Sequence, residues 1–248
     1  MNQQLARLVV PSQDDAGHLA GWYLLNVHLQ RCLGLTLKVE PSPGEENFHQ
    51  LFGQKGLVVL ANAYNTLRGM DEAGWLPVAR PVQVFEEVLV LARRGTDRPA
   101  RHPVRVACAS EHAAVPRLGA ETLASQGLLA DDCQITACGS DRQAIDSLLE
   151  GHSDLALLDT RAWSGLGPAL RDQLYRVTES RSRRCFSTLC LSPDLAALQD
   201  PLLDVLRCLP QHNTGEHLLT DLGYPGFEEV PARALDQLRH WLREPALA

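Results

Sequence analysis

From Leu5 to Val82 the chain alternates short apolar runs with segments of helical spacing, and only short loops separate them. Leu5 to Val10 reads as a strand closed by Pro11. Between Gly17 and Leu33, the residues Leu19, Trp22, Leu25, Leu29 and Leu33 recur at a helical period, and Gly34 stops the run. Leu35 to Val39 is a second strand, broken by Pro41-Ser42-Pro43-Gly44. Glu45 to Phe52 is a short helix, Gly56 to Leu60 a buried strand, Asn65 to Met70 part of a helix, and Trp75 to Val82 is extended. This strand–helix alternation predicts a mainly parallel sheet covered by helices.

Val84 to Ala92, VFEEVLVLA, is a longer β-rich run with two adjacent carboxylates, Glu86 and Glu87. As a strand it would place them on opposite faces, so they do not form a cooperating acid–base pair. A second alternating unit follows. Val104 to Cys108 is a strand, Ala113 to Gln126 a helix beginning or kinking at Pro116, and Gln134 to Cys138 a strand. Asp141 to Leu149 is a helix, Asp154 to Asp159 a buried strand, and residues 175–177 a further strand. Phe186 to Leu191 is extended again. The rest is helical, with Leu235, Leu238, Trp241 and Leu242 on one face of the last helix.

These patterns give an α/β fold, a two-lobed clamshell in which each lobe is a mainly parallel sheet flanked by helices. Lobe 1 is residues 1–83 with 190–248, and lobe 2 is 84–189, joined by two extended crossings near 84–92 and 184–191. Ligands of open α/β sheets gather at the carboxyl ends of strands. That selects four turns, Ser12 to Asp15, Ala61 to Asn65, Ala109 to His112 and Asp159 to Arg161, facing one another across an interlobe cleft.

The formal charge of -7 excludes non-specific nucleic-acid or anionic-membrane binding. Arg181-Ser182-Arg183-Arg184 reads as a solvated basic loop. No run of about 18 apolar residues is present, so membrane insertion is not expected. The first fifteen residues lack a charged segment followed by an apolar one. The expectation is therefore a cytoplasmic protein, the alternative a periplasmic one whose signal peptide has been cut away. Seven cysteines in no zinc spacing point to a reducing compartment with mostly buried thiols. There is no G-x-S-x-G, G-x-x-x-x-G-K, H-E-x-x-H or G-x-G-x-x-G, hence no catalytic residue, metal or cofactor is assigned.

The segments ANAYNT (61–66), GWLPVARPV (74–82), the turn at 109–112, DLALLD (154–159) and LLTDLGYPGFEEVP (218–231), in this order, resemble the substrate-binding proteins of phosphate, phosphite and phosphonate ABC transporters, within the type II periplasmic binding-protein fold. The resemblance implies a non-catalytic receptor. Tyr64 looks like the family's cleft tyrosine and Asp159 like the acid that takes a ligand's amino group. The family's anion cradle is a Ser/Thr-rich turn at a helix start; here that turn is Ser110-Glu111-His112-Ala113, and Ser110 alone matches. Glu111 sets a carboxylate beside the cradle, which opposes a dianion at close range.

The ligand-binding residues expected are thus Asp14, Asn62, Tyr64, Ser110, Glu111, His112, Asp159 and Thr160. They would hold a small polar, zwitterionic or anionic ligand, and closure would be read by an ABC permease or by a cytoplasmic signalling partner. Two alternatives remain. One is a lyase or transferase on the same fold, using Glu111, His112 or Cys108. The other is a thiol-based sensor of soft metals or oxyanions, using Cys108.

Overall fold

A computed structural model describes residues 5–11, 16–95, 102–110 and 114–243. The chain divides into two compact units, Met1–Phe85 with Phe186–Arg239, and Glu86–Cys185 with His240–Ala248.

Unit 1 opens with β1 (Leu5–Val10), α1 (Ala16–Leu33), β2 (Thr36–Pro41), a 3-10 turn at Glu45–Leu51, β3 (Leu57–Ala61), α2 (Ala63–Ala73) and β4 (Leu76–Pro81). Unit 2 contributes β5 (Val88–Arg93), β6 (Val104–Cys108), α3 (Ala114–Ser125), β7 (Cys133–Ala137), α4 (Asp141–Leu149), β8 (Leu155–Asp159), α5 (Thr160–Gly165), α6 (Pro168–Arg171) and β9 (Leu174–Glu179). Unit 1 then resumes with β10 (Thr188–Leu191), α7 (Gln199–Cys208), α8 (Asn213–Leu222), β11 (Phe227–Glu229) and α9 (Ala232–Arg243), whose last residues count with unit 2.

The six-stranded sheet of unit 1 has the order β11-β4-β10-β3-β1-β2. β1 pairs in parallel with β2 and β3, whereas β10 runs antiparallel between β3 and β4, and β11 antiparallel to β4. β3 and β10 are buried at every residue, as strands covered on both faces must be, which is why β3 reads as an unbroken apolar run. Alternate residues feed two cores. Leu8, Val10, Val58, Leu60, Leu189 and Leu191 pack with Trp22, Leu25 and Leu29 of α1. Val9, Leu57, Val59 and Cys190 face Phe48, Leu51 and Trp75 on the other side. α1 and α8 pack so closely that a Cβ on Gly21 would come within 2.8 Å of the Asp221 backbone.

The five-stranded sheet of unit 2 has the order β7-β6-β8-β5-β9. β6 is parallel to β7 and β8; β5 is antiparallel to β8 and β9. Leu89, Leu91, Ala156, Leu158 and Leu174 pack with Ile145 and Leu148 of α4 and with Trp163 and Leu170. Both sheets therefore combine parallel and antiparallel pairs, a feature the strand–helix alternation does not reveal.

The long run at 84–92 does not form one strand. β5 starts at Val88, opposite Asp159, because only from there do β8 and β9 supply hydrogen-bonding partners. Upstream, Glu86 makes a single antiparallel bridge to Cys185, and Gln83 turns with a φ of 56°. Pro116 falls in the first turn of α3, where its missing N–H forfeits no helical hydrogen bond.

Candidate ligand-binding site

Within unit 1, β1 and β3 are parallel neighbours, so the turns that follow them leave the sheet at the same end. The turn after β3 is well held. Asn62 is the N-cap of α2, its Oδ1 accepting the Asn65 N–H at 2.8 Å, and the Thr66 hydroxyl donates to the Ala61 carbonyl at 3.2 Å. Tyr64 lies in the first turn of α2 and is half-buried. Its ring centroid is 5.8 Å from the Arg68 guanidinium, which also holds Glu72 by bonds of 2.7 and 3.0 Å. Those bonds to Glu72 are the main reason the Arg68 guanidinium is held above its ordinary range, with Tyr64 adding to the effect. Asp14, expected from the turn after β1, lies outside the described residues.

Within unit 2, the register Cys108↔Leu157 aligns β6 with β8, which brings the Ser110 turn and the Asp159–Thr160 turn to one end of the sheet. Ser110 is half-buried. Glu111 and His112 lie outside the described residues. Cys108 is fully buried, and its thiol sits 3.6 Å from the Ser110 carbonyl and 3.7 Å from that of Thr136. It therefore packs beneath the turn, away from solvent. Asp159 caps α5: Oδ1 accepts the Arg161 N–H at 2.7 Å and the Arg161 Nε–H at 3.4 Å. A fifth of its side chain stays accessible, 20%. The Thr160 N–H donates to the Glu87 carbonyl at 2.9 Å, locking this turn to the start of β5.

Glu87, visible in the sequence as one of two adjacent carboxylates but given no role there, lies at this end. Glu87 accepts the Ser180 hydroxyl, the Ser182 N–H at 3.0 Å and the Arg183 N–H at 2.6 Å. Ser180 in turn receives the Val88 N–H at 2.8 Å. Because Val88 is opposite Asp159, the segment 180–183 is pinned at the same end of the sheet as the Asp159 turn. The partners are 93 or more positions apart, and no local pattern joins them. The basic run is solvated at Arg181 and Arg183, as expected, but Arg184 pairs with Glu121 at 3.0 Å. Among the described residues, no three His, Cys, Asp or Glu side chains gather where they could hold a metal. Of the seven cysteines, Cys108, Cys185 and Cys190 are buried, fewer than expected; Cys32 and Cys208 are exposed.

The model of a family described as ABC transporter, phosphonate, periplasmic substrate-binding protein matches residues 8–235. Among solved structures, the chain is similar to PhnD1 from Prochlorococcus marinus in complex with methylphosphonate, with a TM-score of 0.79 at 13% identity over 98% of both chains. It is similar to a binding protein component of an ABC phosphonate transporter from Pseudomonas aeruginosa, with a TM-score of 0.76 at 13% identity, over 97% of this chain and 86% of that one. The periplasmic aliphatic sulphonate binding protein SsuA from Escherichia coli matches with a TM-score of 0.66 at 12% identity, over 96% and 85%. The fold is that of these type II periplasmic binding proteins. No curated protein matches the sequence.

Proposed function

This chain belongs to the family of periplasmic substrate-binding proteins of phosphonate ABC transporters, and from that membership we propose that it binds a small anionic or zwitterionic ligand for delivery to an ABC permease. The family is one of binding proteins, not enzymes. A periplasmic location is proposed over the cytoplasmic one, supported by the family's description. No helix among the described residues is long and apolar enough to cross a membrane.

The reading of the site rests on one observation: the parallel pairing of β6 with β8 puts the Ser110 and Asp159–Thr160 turns side by side. Ser110 and, beside it in sequence, His112 donate to the anionic end of the ligand. Asp159, with Oδ1 committed to Arg161, offers Oδ2 to a cationic group, and the Thr160 hydroxyl lies next to it in sequence. Glu111 limits the negative charge the Ser110 turn accepts. In unit 1, Asn62 and Tyr64 supply further polar contacts, and Asp14 precedes α1 in the same role.

Calorimetric titration with an aminoalkylphosphonate, methylphosphonate, phosphite and methanesulfonate tests this. Asp159→Asn should weaken the amine-bearing phosphonate by about tenfold or more and leave methylphosphonate unchanged. Equal loss for both ligands, or no loss for either, would remove Asp159 from the ligand's amine. Absence of binding across the panel would overturn the ligand class.

A further inference from the structure

Helix α1 is apolar on two sides. Trp22, Leu25 and Leu29 are buried in the core of unit 1. On the opposite side Leu19, Tyr23, Leu24 and Val27 are exposed by 39%, 52%, 49% and 43%. Their spacing lines them up, with Ala20, as one stripe along the outside of the helix, ending at the exposed Arg31. A surface helix ordinarily turns polar residues outward, so a stripe of this kind marks a place where something docks.

Charges beside the stripe indicate what docks there. α8 runs antiparallel along one flank of α1: the backbone of Asp221, at its end, lies against Gly21, and His18 lies against Gly223. His212, at the start of α8, acts on His28, as does Arg31; burial and these two neighbours lower the His28 pKa. One end of the stripe is thus flanked by exposed Asp221 and the other by His28, Arg31 and His212. Among the described residues neither Arg31 nor Asp221 has an ion-pair partner.

We propose that the outer face of α1 is a self-association surface, on which a second copy of the chain docks antiparallel about a two-fold axis. Turning the face onto its own copy in that way sets Asp221 of one copy against Arg31 of its partner, and the same contact recurs by symmetry. A parallel arrangement would set Arg31 against Arg31. The stripe is small beside the roughly 800 Å² per partner of a standard interface, so the dimer is weak and reversible, with Kd on the order of tens of micromolar.

Sedimentation velocity of the full chain in reductant, over roughly 1 to 500 μM, tests it, since that range spans such a Kd. The reductant keeps exposed Cys32 and Cys208 from cross-linking copies. A monomer–dimer equilibrium is expected, and Leu24→Glu should abolish it while the thermal melt of the dilute monomer stays the same. Arg31→Glu should weaken the dimer by about tenfold, two rim pairs being reversed at once. Arg31→Glu combined with Asp221→Arg should restore it. A monomer at every concentration would overturn the proposal. So would a dimer indifferent to Leu24→Glu, or a double variant no stronger than Arg31→Glu.

Discussion

The indole Nε1–H of Trp241 donates to Glu121 Oε1 at 2.6 Å. The ring is buried, the Arg117 guanidinium lies 4.7 Å from its centroid, and Glu121 also accepts from Arg184 at 3.0 Å. The last turn of α9 is therefore tied to α3 and to Arg184 by a hydrogen bond and stacked cations. A charged acceptor in such a place is expensive to leave without its donor. Trp241→Phe should cost about 1–2 kcal/mol of stability from the lost N–H, and Trp241→Ala about 3–5 kcal/mol once the cavity is included. Urea denaturation followed by circular dichroism measures both. A Phe variant as stable as the parent would show that the N–H contributes nothing.

Glu87 has a similar role beside the same segment, but for backbone. Replacing it by Gln puts an NH2 group where the amides of Ser182 and Arg183 need an acceptor. Amide hydrogen exchange at 182 and 183 should accelerate by about tenfold or more in Glu87→Gln, since one opening equilibrium shifts by more than about 1.4 kcal/mol. Unchanged protection at those amides would mean that other contacts hold the segment.

His28 makes stability depend on pH. Burial, then His212 and Arg31, lower its pKa below the ordinary 6.5. As pH falls through 6.5, the unfolded chain takes up a proton at this position while the folded chain resists it. The unfolded state then binds more protons, so stability declines as pH drops below about 6.5 and is fully present above it. His28→Gln should flatten that part of the stability curve between pH 7 and 5. An identical slope in the variant would rule His28 out as its source.

Six of the seven thiols should react in three groups. Cys32 and Cys208 are exposed and should titrate rapidly with an aromatic disulfide at pH 8. Cys133 should lag, because burial and then Asp132 raise its pKa. Burial lifts Cys190 to about 12, and burial followed by Glu86 and Glu87 pushes Cys185 well above the ordinary thiol range. Those two, with buried Cys108, should be silent until the chain unfolds. Rapid reaction of Cys108 in the native protein would reopen its use as a sensor.

Much of the architecture is local enough to read from residues. Runs such as Leu57 to Leu60 and Leu155 to Leu158 are apolar without interruption because both faces of those strands are covered. Gly34 and Gly223 mark helix ends because the chain there needs positive φ, 65° and 68°. Asn62 and Asp159 announce themselves as caps by type and by position at a strand end, and both are caps. Serine at 110 after a strand points to the carboxyl end of a sheet for the same reason.

The strand–helix alternation, the stops, the caps and the turns that leave strands at their carboxyl ends are all written locally, since each depends on residues within a few positions of one another. The rest follows from long-range packing. Nothing near Thr188 says that β10 will insert antiparallel between β3 and β4, and nothing near Val84 says that its run will join the sheet as a strand only from Val88. The bond from Arg183 to Glu87, that from Trp241 to Glu121, and the meeting of Asp221 with α1 join residues 96, 120 and about 200 positions apart. Such pairings are selected by burial and hydrogen-bond satisfaction over the whole chain, a condition that no short stretch of residues carries.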